Sequence, residues 1–166
     1  ELLLATGCRP RRLRAEGADT PGVRYFRDLE DYLDLESRLD RLQHITLVGG
    51  GFISIEMAAS LRARGKEITL LIADEYPLHR MLPRDLGLPL LEFLRELGVE
   101  TVSGDAPASI QESNGLVHAR TWLGKELDTQ LVIVDQGGER GGDDAAARRM
   151  LRSGGRVGRC RSSRHG

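Results

Sequence analysis

The sequence predicts an α/β protein: a Rossmann-like βαβ parallel sheet, an antiparallel β-meander, and a disordered C-terminal tail. Three observations predict it. Residues 45–75, ITLVGGGFISIEMAASLRARGKEITLLIADE, read as strand, glycine turn, helix and strand, in about thirty residues, the length of one βαβ unit. The Asn114–Gly115 pair between two short runs marks a hairpin with a primed turn. From Gly137 onward Gly, Arg and Ser dominate and no periodic apolar face persists beyond residues 145–151.

In chain order, residues 2–5 read as a strand that turns at Thr6 and Gly7 and leaves through Arg9 and Pro10, with Arg11 and Arg12 behind it. Gly17 and the Pro21–Gly22 pair then mark a polar loop of the kind that hinges two domains. Residues 23–26 form a short strand. A helix follows over 28–42, with Asp28 as N-cap and Leu29, Leu33, Leu39 and Leu42 at helical spacing; its acids read as a solvated face.

Ile45, Leu47 and Val48 form a buried parallel strand that ends at Gly49, Gly50 and Gly51. In the next helix Ile53, Met57 and Leu61 recur four apart, Arg62 and Arg64 suit the negative end of the dipole, and Gly65 stops it. Residues 68–72 are the second strand, so the helix makes a right-handed crossover. A loop over 77–83 leads to a helix from Pro83 or Arg84 to Leu97, kinked by Pro89 and ended by Gly98. Residues 99–102 form a third strand, and 109–113 and 116–122 form the hairpin, with Trp122 covering the meander. A second turn at Gly124 leads past Leu127 to residues 131–134, which return to the parallel sheet.

At 166 residues the chain holds one α/β domain and its core. The formal charge is −1, which offers no reason to expect nucleic acid or a membrane as partner. The charge is uneven. Through Gln136 there are 16 basic and 22 acidic residues, whereas eight arginines face three acids after it. An Arg/Gly tail suits RNA or phosphates, against the plainer reading as an unstructured end. Cys8 and Cys160 form no CxxC or metal pattern, so a reduced, cytoplasmic protein is expected. No run approaches a membrane span and no signal peptide is visible. Residue 1 is Glu inside an apolar run rather than a start Met, so the chain reads as an internal fragment.

The glycines carry the chemistry. Gly49 permits the tight turn out of the strand, and Gly51 lacks the Cβ that would hold a pyrophosphate off the backbone. The free N–H groups at the helix start then face the phosphates with the positive end of the dipole behind them. Ser54 stands at the third fingerprint position in place of Gly or Ala. The alternative is a purely structural βα turn. An acid at the tip of the second strand completes such a site by binding ribose hydroxyls. Ile72 cannot do this, and Asp74 and Glu75 lie just beyond; Asp74 is the ribose acid or a solvated loop acid. The nearest bases are His79, Arg80 and Arg84, with no Arg immediately after the strand, which favours NADH over NADPH. The four His residues show no ligand spacing and there is no GxSxG, HExxH or Walker pattern, so neither a metal site nor a catalytic residue is assigned.

Four segments in order, LLLATGCRP (2–10), GVRYFRDLED (22–31), LVGGGFISIEMAASL (47–61) and LVIVDQG (131–137), resemble the FAD-dependent pyridine-nucleotide-disulfide oxidoreductase superfamily. Its ferredoxin and rubredoxin reductase-like branch, near apoptosis-inducing factor, is the most similar, and the likeness covers residues 1–137. The resemblance implies an edge of an FAD domain with a hinge in 1–27, an NAD(P)H-binding domain in 28–136, and a tail in 137–166. It places Thr6 and Gly7 in the FAD domain and Gly137 at the return to it. It assigns Gly49, Gly51 and Ser54 to the pyrophosphate, with Gly50 between them, and sets Phe52 and Ile53 beside the nicotinamide half. Glu56 faces the carboxamide, or is an exposed helix acid in a salt bridge. Cys8 reads as packing rather than a redox centre.

The implied cofactors are FAD and NAD(P)H, and the implied reaction is hydride transfer from nicotinamide to the flavin N5, a step that needs no protein acid or base. A small iron–sulfur protein is the implied acceptor. Two other readings stay open: a nucleotide-binding module without redox chemistry, and a truncated, non-functional product.

Overall fold

Along the strand at His44–Val48, Ile45 and Leu47 face one core and Val48 the other, and Thr46 between them is buried too, so the strand is covered on both sides. The computed structural model describes residues 8–140. The chain divides into two units, Pro10–Gly138 and a second made of Glu1–Arg9 with Glu139–Gly166. Of the second unit the described residues are few: they belong to β1 (Cys8–Pro10) and β10 (Gly138–Arg140), which pair with each other. The strand expected over 2–5, Thr6, Gly7 and residues 141–166 of the tail lie outside the described residues, whereas Gly138–Arg140, at the start of the tail expected to be disordered, form β10.

Within Pro10–Gly138 a five-stranded sheet has the order β2-β9-β3-β4-β5. Its strands are β2 (Val23–Tyr25), β3 (His44–Val48), β4 (Glu67–Ile72), β5 (Glu100–Ser103) and β9 (Leu131–Val134), and every pairing is parallel. Helix α1 (Leu29–Leu39) joins β2 to β3, α2 (Phe52–Ala63) joins β3 to β4, and α3 (Arg84–Glu96) joins β4 to β5. The meander β6 (Pro107–Ser113), β7 (Leu116–Thr121) and β8 (Glu126–Thr129) is antiparallel. Its first turn has Asn114 at φ 53° and Gly115 at φ 75°, as a primed two-residue turn demands.

The two faces of the sheet have separate cores, because alternate residues of a strand point opposite ways. Ile45 and Leu47 of β3, Ile68, Leu70 and Ile72 of β4, and Leu131 and Ile133 of β9 pack against Leu35 and Leu39 of α1, Ala58 and Leu61 of α2, and Leu91 and Leu94 of α3. Val48, Leu71, Val132 and Val134 pack instead against Ile110, Val117, Ala119 and Leu127 of the meander. The result is helices on one side of the parallel sheet and a β-layer on the other.

Some local expectations are corrected. Helix α1 begins at the predicted cap, where Asp28 and Asp31 form a capping box, but it ends at Leu39. It buries Leu35 and Leu39, leaving Leu29 and Leu33 exposed. In α2 the fully buried residues are Ser54, Ala58 and Leu61, with Ile55 and Met57 packed against the core; Ile53 is not among them. On the acidic face, Arg24 reaches Asp34 at 3.5 Å and Arg38 reaches it at 2.6 Å, so that acid is ion-paired as well as solvated. Helix α3 runs through Pro89, which has no N–H to bond the Asp85 carbonyl. Trp122 does not cover the meander: it is 72% exposed at the β7–β8 turn.

Candidate functional site

The C-terminal ends of β3, β4 and β9 lie side by side, and the loops that leave them enclose a cleft of about 380 Å³. In an open α/β sheet ligands bind outside these strand ends, because helix N-termini and chain-reversing loops converge there. Gly49, Gly50, Gly51, Asp74 and Gly137 all line this cleft, so the structure brings together residues far apart in the chain.

The glycine turn is shaped from both sides. The parallel register sets Val48 beside Val134, which puts Gly49 next to Asp135. The Gly49 N–H donates to the Leu71 carbonyl at 2.9 Å and the Asp135 N–H to the Val48 carbonyl at 2.9 Å. On the other side the Leu78 N–H donates to the Gly50 carbonyl at 2.8 Å, which draws the loop after β4 over the turn. Tyr76 anchors that loop: its ring lies against the space above Gly87 of α3, and its hydroxyl donates to the Leu82 carbonyl at 3.3 Å. Leu78, His79, Arg80 and Met81 thereby form one wall of the cleft.

Helix α2 starts at Phe52 with Gly51 as an N-cap that offers no side chain. The N–H groups of Phe52, Ile53 and Ser54 therefore lack intrahelical partners. Those of Phe52 and Ile53 have no partner among the described residues, but that of Ser54 donates to Asp135 Oδ2 at 3.2 Å. The Ser54 hydroxyl donates to the same oxygen at 3.0 Å. The family resemblance implies a pyrophosphate at Ser54; both of its donors are already engaged by a carboxylate from β9's end. Favourable charge at a helix N-terminus explains why Asp135 settles there.

The remaining assigned residues fall around this turn rather than in it. The Phe52 side chain is exposed, Ile53 is half-buried, and Glu56 is exposed with no ion-pair partner among the described residues, so the salt-bridge alternative for it is not found. The Asp74 carboxylate has no partner among the described residues, while its carbonyl accepts from the Gly104 N–H at 3.0 Å. Thr6 and Gly7 lie outside the described residues.

Sequence reasoning missed Asp105, Arg11 and the role of Asp135. Asp105 lines the cleft and is buried. Burial pushes its carboxyl up, but the Thr121 hydroxyl and the N–H groups of Ala106, Leu123 and Trp122 outweigh this and hold it below the ordinary carboxylate range. Ala106 and Leu123 donate at 2.8 and 3.2 Å. The signal for Asp105 was a Gly104–Asp105 turn after a strand. For Asp135 it was an acid directly after an apolar closing strand, whose neighbour in the sheet no local pattern reveals.

Three comparisons extend this geometry. The family model for pyridine nucleotide-disulphide oxidoreductases matches residues 1–156. The chain is 35% identical over 139 residues to the ferredoxin–NAD(+) reductase component of the biphenyl dioxygenase system of Paraburkholderia xenovorans, covering 83% of this chain and 34% of that protein. To the rubredoxin–NAD(+) reductase of Ectopseudomonas oleovorans it is 30% identical over 138 residues, covering 82% and 36%. Among solved structures, a ferredoxin reductase for the CYP199A2 system from Rhodopseudomonas palustris superposes with a TM-score of 0.81 at 28% identity, covering 86% of this chain and 36% of that one. The chain thus spans about a third of the length of the curated relatives it matches. Because that family model matches residues 1–156 of the 166, the chain belongs to the pyridine nucleotide-disulphide oxidoreductase family.

Proposed function

We propose that this chain is the NAD(P)H-binding portion of an FAD-dependent oxidoreductase that passes hydride from NAD(P)H to flavin and electrons onward to an acceptor. The observation that carries the reading is the pair of N–H groups, Phe52 and Ile53, left without a partner among the described residues at the N-terminus of α2, which directly follows the cleft-lining Gly49, Gly50 and Gly51. Two amides with a helix dipole behind them suit a diphosphate, and the carboxylate of Asp74 suits ribose hydroxyls at the end of β4. The residues therefore fit a dinucleotide, with Asp135 the carboxylate nearest the amides; Asp105 also lines the cleft, as do Arg11, His79 and Arg80.

The chain's own work in this reading is binding and orientation. The Phe52 and Ile53 amides hold the diphosphate, Asp74 fixes the adenosine ribose, and Glu56, one turn into α2, faces the carboxamide. A nicotinamide bound there supplies the hydride and a flavin receives it, so positioning is what the protein contributes. Thr6, Gly7 and Gly137 would belong to the flavin side. NADH is the preferred cofactor because Asp74 accepts hydroxyl donors and repels a 2′-phosphate, although His79 and Arg80 line the same cleft. The ferredoxin and rubredoxin reductases among the relatives support a small iron–sulfur or rubredoxin-type acceptor.

Titrating NADH and NADPH against the chain tests this reading, by quenching of Trp122 or by calorimetry. Saturable binding of NADH in the micromolar range, with NADPH weaker, is expected. No saturation by either up to about 1 mM, equivalent to roughly 4 kcal/mol of binding, would defeat it.

A further inference from the structure

We infer that Asp135 is the residue that sets how tightly the cleft takes an anion: its carboxylate stands in for the phosphate at the helix N-terminus and weakens every diphosphate-containing ligand. This rests on the dinucleotide reading above and adds to it a specificity residue on a different strand from the glycine turn.

The geometry carries the inference in three steps. First, Asp135 Oδ2 accepts from both the Ser54 N–H and the Ser54 hydroxyl, at 3.2 and 3.0 Å. One of the three amides at the start of α2 is therefore spent on a negative charge from within the chain. Second, that same oxygen lies 3.1 Å from where a Cβ on Gly51 would stand. The space that a missing Cβ opens for a ligand is bordered by a carboxylate. Third, Asp135 cannot withdraw with its backbone. Its N–H bonds to the Val48 carbonyl, and its own carbonyl packs against Gly49 so closely that a Cβ there would lie 2.0 Å away.

Charge makes the consequence specific. No Lys, Arg or His ion pair to this carboxylate is formed among the described residues, although Arg11, His79 and Arg80 line the same cleft; what meets the carboxylate directly is two hydrogen bonds and the helix dipole. A diphosphate on the Phe52 and Ile53 amides would meet it as a like charge in the partly buried cleft. Ser54 and Asp135 act as one device. The serine that replaces a small residue at the third fingerprint position is the donor that holds the carboxylate in place.

Neutral replacement tests this in the 166-residue chain, with ADP, NADH and adenosine as probes. Asp135→Asn keeps the shape and removes the charge, and Asp135→Ser is a second neutral variant should the first fail to fold. The expected result is ADP and NADH binding tightened about 10- to 100-fold, the size of one like-charge pair about 6 Å apart at an effective dielectric of about 20 to 40, with adenosine affinity unchanged. Equal affinity of the wild-type chain and both variants for ADP and NADH overturns this inference and leaves the dinucleotide reading standing. Weaker binding by the variants also overturns it and makes Asp135 a ligand contact. No saturable binding of ADP or NADH by any of the proteins removes both readings.

Discussion

Gly49 and Asp135 meet backbone to backbone: a Cβ on Gly49, which sits at φ 147°, would lie 2.0 Å from the Asp135 carbonyl oxygen and 2.7 Å from the Ser54 hydroxyl. The glycine that a fingerprint reserves for a tight turn is required here by the neighbouring strand as well. Gly49→Ala is expected to destabilise the chain by about 2–4 kcal/mol, combining backbone strain with a clash that no side-chain movement relieves. Gly51 differs, because its φ of −85° is open to any residue and its nearest neighbour, the Asp135 carboxylate oxygen at 3.1 Å, need give by only a few tenths of an ångström. Gly51→Ala is expected to hold its stability within about 1 kcal/mol and to lose about tenfold in NADH affinity, about 1.4 kcal/mol. Urea unfolding and cofactor titration of the two variants separate the structural glycine from the ligand-facing one.

Asp105 ties the end of β5 to the β7–β8 turn through the N–H groups of Ala106 and Leu123. Asp105→Ala is expected to cost about 1–3 kcal/mol, since it strands buried donors. The sign with pH follows from the lowered pKa. The carboxylate contributes fully above the unfolded value of about 3.9 and the contribution fades as pH falls through the lower folded value. Wild type and variant should therefore differ constantly between pH 5 and 8, about the ordinary working range, and converge in acid. A gap in melting temperature that instead closes toward alkaline pH would contradict this.

Helix α1 offers a test of which face is buried. Leu39 is 1% exposed and Leu33 is 55% exposed, although the two leucines look alike in a helical pattern. Leu39→Ala is expected to cost about 2–5 kcal/mol by loss of transfer energy and the cavity left behind. Leu33→Ala should stay within about 0.5 kcal/mol. Comparable losses at both positions would mean that α1 is rotated from the orientation seen.

How far the fold was legible varied with the range of the interaction. The strands β3, β4 and β9 were legible as apolar runs, α2 from its glycine start and Gly65 stop, and the hairpin from Asn114–Gly115. Each depends on neighbours within a few residues. The buried face of α1 was misread because five leucines at positions 29, 33, 35, 39 and 42 fit more than one helical stripe, and only the position of β9 and β2 decides which one meets the sheet. Trp122 was misplaced for a similar reason: its exposure follows from the direction of a turn that leads away from the meander's core.

The chain's own letters determined the parallel crossover, the glycine turn and the bare amides that begin α2, since all are consequences of spacing and of missing Cβ atoms along one stretch. Tertiary structure alone decided that β9 inserts between β2 and β3. That insertion sets Asp135 against Gly49 and Ser54, 81 residues from the serine it accepts from. Strand order is settled by how two apolar faces are shared between helices and meander, a global packing choice, and so the charge that borders the cleft is a property of the folded sheet.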